Sequence, residues 1–374
     1  MRRWAALLLV WAGTARAEDL SASAAVGAGA QGSATYGAIE LHFDQAWRDA
    51  HLDLGVRGVW DGGTFRRSDW SSIADAVTIV RDFAATAELD GGGHVAIAAG
   101  RLAPSHDGRL VDGYRATLDD RWRTGVRTAA VTDDTEAVLE LDDVLDPVVI
   151  AGAVNYQVAA PWGAHLAVAI DPTAPALPMQ TRVASSVEAG GSYRIESEHA
   201  RTDLGASIIA ELGLGFSAVG YAESAIVSGD TRYTLRGDAR GGSGTAGNMF
   251  GPLYRVERVT MWQRAHDGAL EGGSLGATAG IAIPNGWLEL GVRSRPGLGA
   301  LATASAGTAM AKRVQAALWA AASPHDGAGA AELRVVWAKR LFSAVQAARI
   351  YQFTDPMQPA AVWSLTAWFG AASD

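Results

Sequence analysis

The residues best equipped for chemistry in this chain are arginines and carboxylates that recur at even spacings. Asp53 and Arg57, Arg115 and Asp119, Arg123 and Arg127, Arg232, Arg236 and Arg240, Glu289 and Arg293, and Arg334 all fall on the polar side of segments that alternate polar and apolar residues. Even spacing places side chains on one face of a strand. These charges therefore form ladders on a wetted surface, suited to steering a charged solute rather than transforming it. Arginines on one wall facing acids on another would set a field across the space between them. The plainer reading is a set of solvated charges that satisfy one another.

Motifs for bond-making chemistry do not survive their context. Gly27-Ala28-Gly29-Ala30-Gln31-Gly32 has the spacing of a dinucleotide fingerprint, but no amphipathic helix follows it. Gly272-Gly273-Ser274-Leu275-Gly276 has the spacing of a nucleophile elbow, which needs a strand-to-helix turn. Here Ala277 to Ile283 continues as a strand, so Ser274 with His325 as base is a poor pair. Gly242-Ser243-Gly244 lacks the lysine of a phosphate loop, and the eight histidines show no i, i+4 pair. Asp142, Asp143 and Asp146 could approach a calcium ion in a loop, although an acidic solvated turn explains them as well. The sequence thus predicts no enzyme, no catalytic residue, no cofactor and no metal.

The segments that position the charges begin after an export signal. Met1-Arg2-Arg3, an apolar run from Trp4 to Ala12 and the small residues closing on Ala15-Arg16-Ala17 have the three parts of a signal peptide over residues 1–17, cleaved after Ala17. The chain has no cysteine, which excludes a lipidated cysteine and disulfide stapling. Removing Arg2, Arg3 and Arg16 from the 31 basic residues leaves 28 against 40 acidic ones, so nucleic acid is not an expected partner. Nothing after residue 17 is apolar for long enough to form a membrane helix.

Alternation with period two dominates the remainder. Ile39, Leu41 and Phe43 interleave with Glu40, His42 and Asp44; Leu288, Leu290 and Val292 interleave with Glu289, Gly291 and Arg293. Turn signals such as Asp61-Gly62-Gly63 and Pro284-Asn285-Gly286 recur to the end without a linker, so residues 18–374 read as one domain. Residues 61–74, 103–113, 172–181 and 241–252 read as large loops, with Trp70, Tyr114 and Met249-Phe250 available to a ligand. The stretch from Arg101 to Arg115 could fold inward as a constriction, but an exposed loop is the expectation. Residues 299–322 are alanine-rich enough to suggest a helix, yet their flanks predict two strands joined near Ala311-Lys312-Arg313.

Strands of about 9 to 13 residues suit a tilted crossing of a membrane better than a soluble sandwich. Trp47, Trp60, Trp122, Trp162, Trp287, Trp363 and Trp368 fall at strand ends, where aromatic girdles sit. The expected fold is all-β, an antiparallel up-and-down transmembrane β-barrel of about 16 strands within a range of roughly 14 to 18.

With these features the mature chain resembles the porin-like outer-membrane β-barrels of Gram-negative bacteria, in overall pattern and without a family-specific motif. The terminal segment carrying Trp363, Leu365 and Phe369 alternates as theirs does, but runs on through Gly370-Ala371-Ala372-Ser373-Asp374. The resemblance implies an outer-membrane channel for passive or weakly selective diffusion of small polar solutes. The partners it implies are outer-membrane lipid, periplasmic chaperones and the barrel-assembly machinery, with a homo-oligomer left open. The alternative is a non-conducting envelope barrel, or a secreted β-protein, whose long loops bind a surface ligand.

Overall fold

The computed structural model describes residues 19–31, 34–61, 64–65, 73–90, 92–102, 110–115, 123–176, 180–245, 247, 250–310, 313–338, 341–352 and 361–372. The segment read as a signal peptide lies outside them, as do Asp119, Trp70, Trp122 and Met249. The period-two segments form strands β1 (Asp19–Gln31), β2 (Ala34–Trp47), β3 (Ala50–Asp61), the two-residue ribbon β4 (Thr64–Phe65), β5 (Val80–Glu88), β6 (His94–Gly100), β7 (Gly125–Val131) and β8 (Thr135–Leu141). They continue as β9 (Ile150–Ala159), β10 (Trp162–Ala176), β11 (Gln180–Glu196), β12 (Ala200–Glu211), β13 (Gly215–Ser228) and β14 (Thr231–Gly242). A helix, α1 (Tyr254–His266), precedes β15 (Gly272–Ile283), β16 (Gly286–Arg295), β17 (Gly299–Met310), β18 (Val314–Ala322), β19 (Asp326–Ala338), β20 (Leu341–Gln352) and β21 (Ala361–Ala372).

Each strand pairs antiparallel with the next. β3 pairs directly with β5, β4 pairs only with β3, and β21 returns to β1 in the register Val26↔Phe369. The sheet is therefore a closed barrel of 20 strands, as expected in class but larger than the expected count. The excess arises because β6, β7 and β8 have only seven residues each, so a strand spacing set by longer strands undercounts them. Closure removes every sheet edge, so backbone groups in the wall are paired without water.

The alternation assigns the two faces. Outward side chains are large and apolar around the barrel: Val26, Leu139, Leu166, Ile208, Phe216, Leu275, Leu290 and Leu365 are between 46 and 68 % exposed. An apolar belt of that extent suits lipid and not water. No helix among the described residues is long and apolar enough to cross a membrane. Trp47, Trp60 and Trp162 lie on the outward register. Trp287 and Trp368 do not join a girdle, because both occupy the inward register, Trp368 with Arg57 stacked 5.2 Å above its ring. The side chains of Trp122 and Trp363 lie outside the described residues.

The two rims differ. Chain ends and connections of two to five residues, such as 48–49, 132–134, 160–161 and 229–230, occupy one rim. Gly229 at φ 58° supplies the left-handed residue that so short a turn requires. The long connections 62–79, 101–124, 142–149 and 243–271 leave the opposite rim. That is the anatomy of barrels whose short turns face the periplasm.

Several loop expectations are corrected. Residues 172–176 and 180–181 extend β10 and β11, since each strand keeps its partner past a bulge between Asp171 and Ala174. Residues 110–115 and 250 fold into the barrel, where Leu110, Val111, Tyr114 and Phe250 are buried. The alanine-rich stretch forms β17 and β18 as its flanks predicted, because paired neighbours outweigh local helix propensity.

Inside, α1 packs against β10 and, across the barrel, against β19 and β20. The inward faces of β9, β10 and β11 carry Ala151, Ala153, Ala167, Ala169, Ala174 and Ala184. These small residues leave room for Tyr254, Met261 and Trp262 of the helix. On its other side Leu253 meets Leu301, Trp319 and Ala328. The helix is thus buried on both flanks.

Candidate functional site

The inward chain between Leu110 and Arg115 is tied at three points. The Leu110 amide donates to Glu188 Oε2 at 2.9 Å, and the other Glu188 oxygen lies 2.9 Å from His165 Nε2. Val111 forms a parallel bridge with Phe250, and the Asp112 amide donates to the Phe250 carbonyl at 3.2 Å. The Tyr114 hydroxyl donates to Asp142, which also accepts from Arg255 Nη2 at 2.7 Å. Burial, reinforced by the Asp142 carboxylate, pushes the Tyr114 hydroxyl well above the usual phenol range. It therefore remains a donor at every physiological pH. Gly113 has φ 72°, which lets the chain turn between these anchors.

Helix α1 is fixed by charge as well as packing. Glu257 receives a two-pronged contact from Arg295 at 2.6 and 2.8 Å, both groups being buried. On the other side Asp171, fully buried, accepts from Tyr254 Oη at 2.6 Å and from Arg258 Nη2 at 3.2 Å. Trp262 Nε1 donates to Tyr254 Oη at 3.0 Å. A buried carboxylate is tolerated only with such partners. The helix is consequently a crossbeam held at both walls.

Beside this crossbeam a cavity of about 590 Å³ remains open. Its wall is formed by parts of β15 to β21, β2 and β3, and its inner boundary by residues 110–115 and 250–252. Arg115 projects into it, its guanidinium 4.6 Å above the Trp319 ring. Burial, with Arg101 adding repulsion, brings the Arg115 pKa down to about 10 against the opposing pull of Glu289. At neutral pH it is therefore charged. Asp112 lies 3.0 Å from Arg293 Nη2 and 3.7 Å from Arg240 Nη2, while Asp238 accepts from Arg293 at 2.6 Å and from Arg240 at 2.7 Å. Those four groups form one alternating cluster against the cavity.

The anticipated charges that lie in described strands sit on the inward register, whereas Arg115 belongs to the inward chain and Arg123 to the connection before β7. Arg57, Arg115, Arg240, Glu289 and Arg293 line this one cavity. The others line different parts of the lumen. Asp53 lies 3.1 Å from His42 Nδ1, Arg123 pairs with Asp143 at 3.3 Å, and Arg127 with Glu140 at 3.5 Å. Arg236 pairs with Glu223 at 3.1 Å, Arg334 stacks 4.2 Å above Phe342, and Arg232 lies toward the short-turn rim. Asp119 is outside the described residues.

Sequence reasoning missed Asp112 and Asp238, the carboxylates that organise Arg240 and Arg293, and it missed the clamp residues Arg255, Glu257 and Arg258. Asp238 had a signal, since it lies two residues from both Arg236 and Arg240 on the same strand face. Asp112 had none, because its position depends on the loop folding inward. Ser274 is buried in β15 and its hydroxyl donates to the Ser294 carbonyl at 2.6 Å, a strand contact and not an exposed elbow. Asp142 and Asp143 are committed to Tyr114, Arg255 and Arg123. Among the described residues no three metal-ligating side chains converge.

No protein-family model matches the chain, and no curated protein matches it. Among solved structures, OpdK of Pseudomonas aeruginosa, described as an outer membrane protein and also solved with vanillate, is 10 % identical over 95 % of this chain and 99 % of its own. Its TM-scores in those two structures are 0.37 and 0.39. OccK2 (OpdF) of the same organism is 11 % identical over 95 % of this chain and 98 % of its own, at a TM-score of 0.41. The functional reading rests on the barrel's own geometry.

Proposed function

We propose that the protein is an outer-membrane channel for small polar solutes, with the cavity beside α1 as its narrow passage. The observation that carries this reading is a closed barrel that is apolar outside and charged inside, with one polar cavity left open between the inward chain and the wall. A belt for lipid and a wetted lumen have no use together except across a membrane. Arg57, Arg115, Arg240, Glu289 and Arg293 line the route, and their charges weight solutes by sign without requiring a catalytic group. The orientation follows from the rims, with the short turns periplasmic and the inward chain entering from outside.

Planar-bilayer recording tests the proposal. Stepwise conductance from protein that also gives a heat-modifiable band on gels is the expected result. One specific feature favours a second reading: α1 crosses the lumen and seals much of it. A folded, heat-modifiable barrel with no conductance would assign the protein to the non-conducting class, in which the same cavity holds a ligand instead of passing one.

A further inference from the structure

Three inward aromatic rings already carry a cation. The Arg115 guanidinium lies 4.6 Å above Trp319, that of Arg57 5.2 Å from Trp368 and that of Arg334 4.2 Å from Phe342. Trp287 differs from all three. Among the described residues no cation and no second ring lies on it, and it is 46 % exposed where Trp319 and Trp368 are 8 and 4 % exposed. Its cross-strand partner is Gly307, where an added Cβ would meet Trp287 Nε1 at 2.6 Å. The indole therefore rests on the glycine, against the wall, and turns its free side to the cavity.

The charges around that ring are acidic and uncommitted. Glu289 is two residues along the same strand face, about 7 Å away, and the row of Trp287 continues through Gly307 and Ala317 to Glu332, about 14 Å away. Among the described residues neither carboxylate accepts a hydrogen bond or lies within ion-pair distance of a cation. The neighbouring arginines are engaged. Arg240 and Arg293 are held by Asp112 and Asp238, and Arg295 by Glu257. Arg115, on Trp319, stands one inward row farther out, in the row of Glu289. Arg232 is exposed two strands to the other side, about 10 Å from Trp287 and so about one Debye length away.

We infer that Trp287 is the platform of a binding site for an organic cation, a small quaternary ammonium or guanidinium compound, with Glu289 and Glu332 as its counter-charges. A cation over an indole face is attracted by the ring's quadrupole, and more so when carboxylates flank it. An anionic solute on the same face meets Glu289 first. An uncharged ring gains stacking but nothing from the two acids. The inference rests on the wet lumen of the channel reading and names a solute class for the passage, yet binding itself does not require conduction.

Isothermal titration of phenyltrimethylammonium into folded, heat-modifiable barrel tests the site directly, with phenylacetate and benzyl alcohol as anionic and neutral counterparts. The cation should bind at least about tenfold more tightly than either. Trp287→Leu should lower its affinity roughly tenfold and Glu289→Gln roughly threefold. Because Trp287 is half-exposed and rests on a glycine, its replacement leaves no buried hole and the heat-modifiable band should persist. Gly307→Ala, which pushes the indole off the wall without altering a charge, should also weaken binding. Unchanged affinity in Trp287→Leu, or phenylacetate binding as tightly as the cation, would overturn the inference. In planar bilayers phenyltrimethylammonium should block the current, and Trp287→Leu should relieve the block. Binding by a barrel that does not conduct would keep the site and reject the channel reading, whereas conductance without binding would do the reverse.

Discussion

The two halves of the lumen are built from one kind of wall and used in opposite ways. Where α1 docks, the inward positions of β9 to β11 are alanines, and the space they leave is filled by Tyr254, Met261 and Trp262. Across from it, inward positions of β15 to β17 carry Trp287, Glu289, Arg293 and Thr303, and a cavity remains. The contrast teaches that small inward residues admit an inserted element where one docks, and that inward charge marks the space that stays open. Inward Ala317, Ala321, Ala330 and Ala348 line the open cavity as well, so it is the docking of α1, and not alanine alone, that fills the other side.

Removing the inserted element has the largest expected effect. Replacing residues 254–266 by a Gly-Ser linker should raise single-channel conductance several-fold, because the solid half then admits ions. Unchanged conductance would mean that the passage is limited elsewhere, and the division into halves would fail. Next comes the clamp. Asp171→Ala leaves Arg258 and the Tyr254 hydroxyl without their acceptor in a buried site, at a cost of about 3 kcal/mol. Hydrogen exchange should show the α1 amides losing protection while those of β10 and β11 keep theirs. Trp262→Ala should act in the same direction, by roughly 3 kcal/mol, through the cavity it leaves.

How much of this contrast the sequence discloses depends on the half. The wall was legible because period-two alternation reports which face a residue occupies whatever lies on that face. Leu288, Leu290 and Val292 point outward and Glu289 and Arg293 inward, as their spacing requires. The class of fold, and the inward register of the candidate charges that lie in strands, follow from that rule; Arg115 and Arg123 lie outside the strands and do not. The plug was not legible. Residues 254–266 show no single apolar stripe, because Val256 and Trp262 face different packing partners and Glu257 and Arg258 are themselves held in ion pairs. Period analysis finds helices with one wet face, and α1 has none wide enough. The inward course of residues 110–115 was equally hidden, since it depends on Glu188, Asp142 and Phe250, all distant in sequence.

Within the open half, Arg115 offers a finer test. Arg115→Gln should lower the preference for anions over cations roughly threefold, read from reversal potentials in asymmetric salt. Burial and Arg101 lower the Arg115 pKa, but a guanidinium stays protonated through and well above neutral pH. Anion preference should therefore be flat across the neutral range in both forms. Reversal potentials unchanged by Arg115→Gln would take Arg115 out of the passage.

The smallest effect belongs to Ser274, at the start of β15 where the chain leaves the solid half and rejoins the wall. Its hydroxyl donates to the Ser294 carbonyl, and the Leu275 amide donates to Ser294 Oγ at 3.0 Å, so the two serines fasten β15 to β16 at that seam. Removing one hydroxyl from such a pair costs about 1 kcal/mol. Ser274→Ala should thus lower thermal stability slightly and leave conductance and ion preference unchanged. A large change in conductance would mean that the seam, and not α1 and the inward chain alone, sets where the solid half ends, because loosening it would let the wall between the two regions shift.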